Sequence, residues 1–490
     1  MQDAKPAPMN DFRVVGYVTG LIVACIGAAM LIPLLVDLQA GNPNWTNFLE
    51  SAIVASLLGG LVALACSNRV AGTLTIRQSF LLTTGIWTAA PLAGALPFML
   101  GAPHVSFTDA YFEAMSGITT TGATVFVGLD GLPPGVLLWR GILQWLGGLG
   151  IVVVAMIFLP VLKVGGMQFF RTEGFDTLGK ILPRALDIAR GLFWVYVLLT
   201  LACIAAYAAF GMSLFDAVAH AFATVSTGGF STSDASFGRF AGPLEYVAVF
   251  FMVASSLPFI RYVQLMNGSA LPLWRDPQTR AYLRYLAYGA GAVIAYRLAV
   301  TDGAIGPVVR SSLFNVISVA SGSGFRSAYV PDWGAFPLMI VFLLGFIGGC
   351  TGSSSGGSGV FRFQVLFLAI GLQIRKIHSP HRTLKLAYGN RAMEADMINP
   401  VIAFFTFYFG TMFLTAILIT LTGVDAETAI FAAWTSVGNI GAAFGPGILP
   451  SFTMTEFPDM AKWFMLSAML LGRLGILSVL VIATPGFWRD

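Results

Sequence analysis

Charge is scarce in this sequence. Lys, Arg, Asp and Glu make up only 10% of its 490 residues, while 57% are hydrophobic; soluble domains carry roughly 25% charged residues. That scarcity excludes an ordinary soluble fold. Histidine is nearly missing: His104, His220, His378 and His381 are the whole set. No paired nucleophile and base can be assembled from them, so enzymatic chemistry finds no constellation to work with. The four cysteines, Cys25, Cys66, Cys203 and Cys350, sit in or beside apolar runs at neither disulfide nor zinc spacing. They read as small packed hydrophobes, and no cofactor site accompanies them. Basic and aromatic residues are not interleaved as in RNA-binding modules, which argues against a nucleic-acid partner. The first apolar run lacks a cleavage site and is expected to stay as a first helix.

What the sequence does have is apolar length. A bilayer takes about 20 residues per helix, and ten stretches reach that scale, near 14–37, 51–67, 79–100, 136–162, 189–210, 243–266, 281–300, 335–372, 397–422 and 461–485. The fold class expected is an all-α polytopic membrane protein.

A fifteen-residue pattern recurs four times between these spans. Asp109–Ala123 reads DAYFEAMSGITTTGA, Asp216–Phe230 reads DAVAHAFATVSTGGF, Ser311–Phe325 reads SSLFNVISVASGSGF and Thr428–Ala442 reads TAIFAAWTSVGNIGA. Position fourteen is always glycine: Gly122, Gly229, Gly324 and Gly441. Four such units imply pseudo-fourfold symmetry. Each is a short apolar helix ending in a small, hydroxyl-rich turn, and such a turn cannot face lipid with its backbone unpaired. A single turn reads equally well as a helix C-cap with glycine at C′. Four in register read as the lining of one pore.

Stripping water from a cation requires replacement oxygens, and rings of backbone carbonyls supply them. The candidate ion-binding residues are therefore Thr120-Thr121-Gly122, Thr227-Gly228-Gly229, Gly322-Ser323-Gly324 and Asn439-Ile440-Gly441. The preceding helices would aim their negative ends at the pore and favour a cation. Asp109, Glu113, Asp216, Asp425 and Glu427 are expected as helix N-terminal charges, with a cation-concentrating mouth as the alternative. His220, at the position of Glu113, is expected to be packed and hydrogen-bonded.

A glycine–serine stretch, Gly348 to Gly359, interrupts the apolar run 335–372. At membrane depth it must line water or lie buried in protein. It reads as a movable constriction below the third filter, formed by Gly349, Cys350, Thr351, Gly352, Ser353, Ser354, Ser355, Gly356 and Gly357. No lysine follows as a phosphate-binding loop would require. Arg473, inside the last span, costs at least ~2.5 kcal/mol to insert unless it faces protein or water, and its donors suit the free carbonyls of that loop. Arg362 is expected at the interface, and Gly147-Gly148-Leu149-Gly150 as a site of close helix packing.

Most Lys and Arg fall on one side, notably over Lys163–Arg190 and Arg375–Arg391. The positive-inside rule then puts both termini in the cytoplasm and opens the four glycine turns outward.

The motifs TTTGAT, STGGFS, SGSGF and NIGAAFGPG, with QWLGGLGI, GGCTGSSSGG and MLLGRL, resemble the Trk/Ktr/HKT superfamily of potassium transporters, and most of all its Trk-type bacterial membrane subunit. The resemblance implies four helix–pore-loop–helix repeats around one pore, selective for potassium, which is substrate and not cofactor. It also implies a multi-pass protein of the bacterial inner membrane that forms a homodimer and meets a separate nucleotide-binding RCK-type subunit. On this reading residues 1–78 form an added N-terminal hairpin, and 79–188, 189–280, 281–392 and 393–490 are the four pore repeats. Three departures stand out: Gly322-Ser323 in place of two threonines, Gly359 in place of a lysine, and Gly475 in place of a glutamate. The competing expectation is a secondary transporter of an organic solute bound at the broken helix of the third repeat. The repeats run parallel and the spans hold few acids, which disfavours it.

Overall fold

The structure, a computed structural model, describes residues 12–67, 75–153, 185–379, 386–388, 391–393 and 398–489. The basic segments expected in the cytoplasm lie largely outside these residues.

Continuous apolar runs give continuous helices where no breaker intervenes. Among the described residues, five are long and apolar enough to cross a membrane: Arg13–Gln39, Trp45–Cys66, Ile76–Leu100, Asp187–Ala209 and Ile398–Thr420. The first two pack back to back through small residues. A Cβ on Gly20 would lie 2.7 Å from the Ala63 nitrogen, and one on Gly59 2.5 Å from that of Ala24. Such backbone contact suits lipid, where packing and not apolar burial drives helix association. Buried Asp37 anchors this hairpin to the helix Pro134–Val153: it accepts from the Gly135 N–H at 2.6 Å and from Asn44 Nδ2 at 3.1 Å. A carboxylate is favoured at a helix N-terminus.

Two expected spans are not single helices. The run 243–266 bends by 91° between Pro243–Ser255 and Phe259–Met266, and 461–485 by 111° between Asp459–Leu474 and Ile476–Ala483. Pro258 breaks the first, having no N–H to continue the ladder. Gly475, at φ 76°, breaks the second. The run 335–372 is likewise divided, into Ala335–Ile347 and Val360–His378, with the glycine–serine stretch between. The run 136–162 begins as Pro134–Val153 and continues beyond the described residues, while 281–300 falls on Pro277–Val300.

Four short helices lodge between these spans: Phe107–Ile118, Leu214–Val225, Ile305–Ala320 and Ala426–Gly438. Each carries one repeat, and two of them pack on the second span of the repeat before through an ion pair. Asp109 of the first meets Lys462 of Asp459–Leu474 at 2.7 Å, which closes the ring from last repeat to first. The second packs on Pro134–Val153, whose Arg140 pairs within the first repeat, with Glu113 at 2.7 Å, and donates to Ser231 O of the second repeat at 2.9 Å. Arg310 of the third meets Glu245 of Pro243–Ser255 at 2.6 Å. The fourth seam is aromatic instead: Phe342 and Phe346 of Ala335–Ile347 stack on Phe431 and Trp434.

One element had no counterpart in the sequence reading. A short antiparallel hairpin pairs Leu386–Tyr388 with Arg391–Met393, and the Tyr388 hydroxyl donates to Gln364 Oε1 at 2.6 Å.

Candidate ion-binding site

Serine caps start the first two pore helices. Ser106 Oγ accepts from the Asp109 N–H at 3.2 Å, and Ser213 Oγ from Asp216 at 3.1 Å. Asp425 caps the fourth through the Thr428 N–H at 2.9 Å. At their far ends all four turn the same way. Thr120, Thr227, Gly322 and Asn439 hold the same repeat position, and their φ values are 51°, 55°, 85° and 49°. Three of these residues are not glycine, and left-handed geometry costs such residues about 1–3 kcal/mol unless the surroundings impose it. Helix capping imposes it here. Thr121 N–H donates to Ser116 O at 2.8 Å, Gly228 to Ala223 at 2.8 Å and Ile440 to Thr435 at 3.1 Å, the six-to-one bond of a Schellman turn. The C-cap geometry thus falls on the same residues as the expected filter.

Two residues on, Gly122, Gly229 and Gly324 are again left-handed, at φ 83°, 76° and 72°. A strand alternates its carbonyls between two sides; interposing left-handed residues turns successive carbonyls toward one side. The four turns converge tightly. A Cβ on Gly122 would lie 2.0 Å from Gly228 O, one on Gly229 1.6 Å from Ser323 O, and one on Gly441 2.6 Å from Ser323 O. No side chain fits. A cavity opens beside the four glycines toward Thr124, Ser231 and Thr453.

Each pore helix also holds the chain that leaves its own filter. At position five Glu113 accepts from Thr124 Oγ1 at 2.9 Å and from the Val125 N–H at 3.0 Å. His220 Nε2 pairs with Ser231 Oγ at 2.9 Å while its Nδ1 meets Asp216 O at 2.9 Å. Asn315 Oδ1 accepts from the Ser327 N–H at 3.1 Å. The fourth repeat has Ala432 there, and Thr435 Oγ1 donates to Ala442 O instead; Ser318 Oγ does the same to Phe325 O at 2.8 Å.

The glycine–serine stretch lies against the ends of three pore helices. Ser354 Oγ donates to Val225 O at 2.8 Å, Ser355 Oγ to Ser321 O, and the Gly357 N–H to Gly438 O at 2.7 Å. Its outer side occupies the break at Pro258: Cys350 N–H donates to Ser256 O at 2.9 Å, and Phe259 N–H to Gly352 O at 2.9 Å. Two discontinuous segments thus satisfy each other's backbone, as irregular chain in a membrane must. Thr351 N–H donates to Gln278 Oε1 at 2.9 Å, and Gly349 N–H to Ser355 Oγ at 3.0 Å. Ser353 Oγ closes the turn on Cys350 O at 2.6 Å. A Cβ on Gly356 would stand 2.4 Å from Asn439 O. Arg473 is buried, and its Nη2 donates to Ser354 O at 3.3 Å.

Several expected residues are placed differently. Glu113, expected as a helix N-terminal charge, lies instead in the middle of its helix, away from any mouth and fully buried beside Arg140. Asp109, Asp216 and Asp425 are engaged at helix N-termini, and Glu427 is exposed. His220 is packed, as its polar neighbours required. Arg362 is no interfacial charge: its Nη1 donates to Ser358 O at 2.6 Å and its guanidinium lies 3.9 Å from the Phe404 ring. Gly147 and Gly148 are packing positions, a Cβ on Gly147 falling 1.9 Å from Ile118 O. The four cysteines are free.

Arg140 and Gln144 were missed, though an arginine inside an apolar run is a signal in itself. Gln144 Oε1 accepts from the Phe230 N–H at 3.1 Å, directly behind the second filter.

Comparison with known proteins agrees with this architecture. The family model described as TrkH, cation transport protein, matches residues 45–488. The Trk system potassium uptake protein TrkI of Halomonas elongata is 40% identical over 464 residues, covering 94% of both chains. The Trk system potassium uptake protein TrkH of Escherichia coli K12 is 35% identical over 486 residues, 98% of this chain and all of that one. The crystal structure of the potassium transporter TrkH from Vibrio parahaemolyticus superposes with a TM-score of 0.88 at 32% identity, covering 98% of this chain and 100% of that one.

Proposed function

The chain belongs to the TrkH family of cation transport proteins, and on that premise we propose how it works as the potassium-uptake membrane subunit of a Trk system. Potassium is its substrate, and it is a transporter and not an enzyme. One observation carries the mechanism: four left-handed turns at Thr120, Thr227, Gly322 and Asn439, each followed by a filter glycine, converge with the C-terminal ends of four short helices behind them. Carbonyls of Thr120, Thr121, Thr227, Gly228, Gly322, Ser323, Asn439 and Ile440 take the place of the ion's hydration shell. Helix C-termini favour the cation electrostatically. The stretch Gly349–Gly357 is the gate, seated under the filters and latched by Arg473. The organic-solute alternative is set aside, since the named relatives are potassium uptake proteins.

The finer assignments belong to the same proposal: four pore repeats at 79–188, 189–280, 281–392 and 393–490 after the hairpin 1–78, an inner-membrane location with both termini cytoplasmic, a homodimer, and an RCK-type partner docking on the basic side. Expression in a bacterial host lacking its own potassium uptake tests the function. Growth on limiting potassium supports it; unchanged growth dependence with the protein present in the membrane contradicts it.

A further inference from the structure

Among the described residues, Arg140 and Glu113 are the most completely buried ion pair, with side chains 1% and 0% exposed. Ion pairing alone does not explain such a pair, because apolar contacts of similar shape stabilise as well. What distinguishes the pair is where its remaining hydrogen bonds go. Arg140 Nη2 donates to Thr124 Oγ1 at 3.1 Å, on the chain leaving the first filter, and Nη1 to Ser231 O at 2.9 Å, on the chain leaving the second. Its guanidinium also lies 4.2 Å from the ring of Phe230, which follows Gly229 directly. Glu113 holds the other side of the first chain through Thr124 and Val125.

We propose that Arg140, oriented by Glu113, is a specificity-determining positioning residue: it fixes the first and second filters relative to each other, and so sets the spacing of two of the four carbonyl rows. It does not touch the ion. The guanidinium fork is what the position requires, since a point-charge ammonium cannot reach Glu113, Thr124 and Ser231 in one plane. The neutral pair also leaves no net charge behind the filter to bias ion occupancy. The inference rests on the potassium-pore reading above.

The experiment compares sodium with rubidium flux into liposomes for the parent, Arg140→Lys, Thr124→Val and the exposed-pair control Arg239→Ala, each with potassium-dependent thermal protection measured on the purified protein. Arg140→Lys should raise the sodium-to-rubidium flux ratio about tenfold, the scale of one lost charge-assisted hydrogen bond, and weaken potassium protection. Thr124→Val should move both in the same direction by less, and Arg239→Ala should move neither. Were Arg140→Lys to fail to fold, Thr124→Val decides. An unchanged ratio and unchanged protection in a folded Arg140→Lys or Thr124→Val protein, with the parent selective, overturns this inference alone. A parent that does not prefer rubidium overturns the pore reading, and the inference with it.

Discussion

Gly122 is where one added methylene meets most resistance. Its φ is 83°, and a Cβ would lie 2.0 Å from the Gly228 carbonyl oxygen. Gly122→Ser must therefore displace a carbonyl of the neighbouring filter and adds about 1–3 kcal/mol of backbone strain. Sodium flux relative to rubidium should rise in that variant, read by isotope uptake into liposomes; an unchanged ratio would show that this glycine does not set selectivity. At Arg473 the expectation is different. Arg473→Ala removes the hydrogen bond to Ser354 O, worth about 1.5–3 kcal/mol for a charged donor, so basal flux should rise roughly tenfold with selectivity intact. Flux no faster than the parent's would remove Arg473 from gating. Residues of this kind were legible in the sequence because glycine at a fixed repeat position, and arginine amid leucines, are anomalies that composition alone does not explain. The Glu113–Arg140 pair was not. Glu113 looks like a helix N-terminal acid, Arg140 sits in an apolar run, and a separation of 27 positions conceals a contact that exists only once the pore helix folds back.

Elements follow the same logic. Ten apolar runs were visible, yet two of them bend by 91° and 111°, because hydropathy registers length and not continuity. The breakers Pro258 and Gly475 were in plain sight; the consequence of Pro258 depended on a partner, the glycine–serine stretch, that satisfies Ser256 O and the Phe259 N–H. That stretch is held by side-chain hydroxyls on two pore-helix ends, from Ser354 to Val225 O and from Ser355 to Ser321 O. Net hydrogen-bond contributions of about 1 kcal/mol each leave its seated and displaced arrangements close in energy. Replacing both with alanine should raise basal flux severalfold, and deleting residues 351–355 should raise it further; wild-type flux in both would make the stretch a passive lining. The seams between repeats are also unequal. Two carry ion pairs, one is bridged by Arg140 donating to Ser231 O, and the fourth is aromatic; the fourth is where Ala335–Ile347, the helix leading into the stretch, meets the pore helix of the last repeat. A seam without directional bonds tolerates the small shifts that gating needs.

For the whole molecule, four parallel repeats close into a ring with one axis, and the orientation we propose for it rests on charge asymmetry. The orientation is tested by cysteine labelling in intact cells: a cysteine introduced near Arg382 should react only after the membrane is opened, and labelling from outside would invert the filters. The central claim is that four glycine turns make one potassium-selective path. Its most direct test is rubidium uptake into liposomes containing only the purified chain, competed by potassium or by sodium. The account predicts that potassium suppresses uptake at concentrations where sodium does not; equal suppression by the two ions would contradict it.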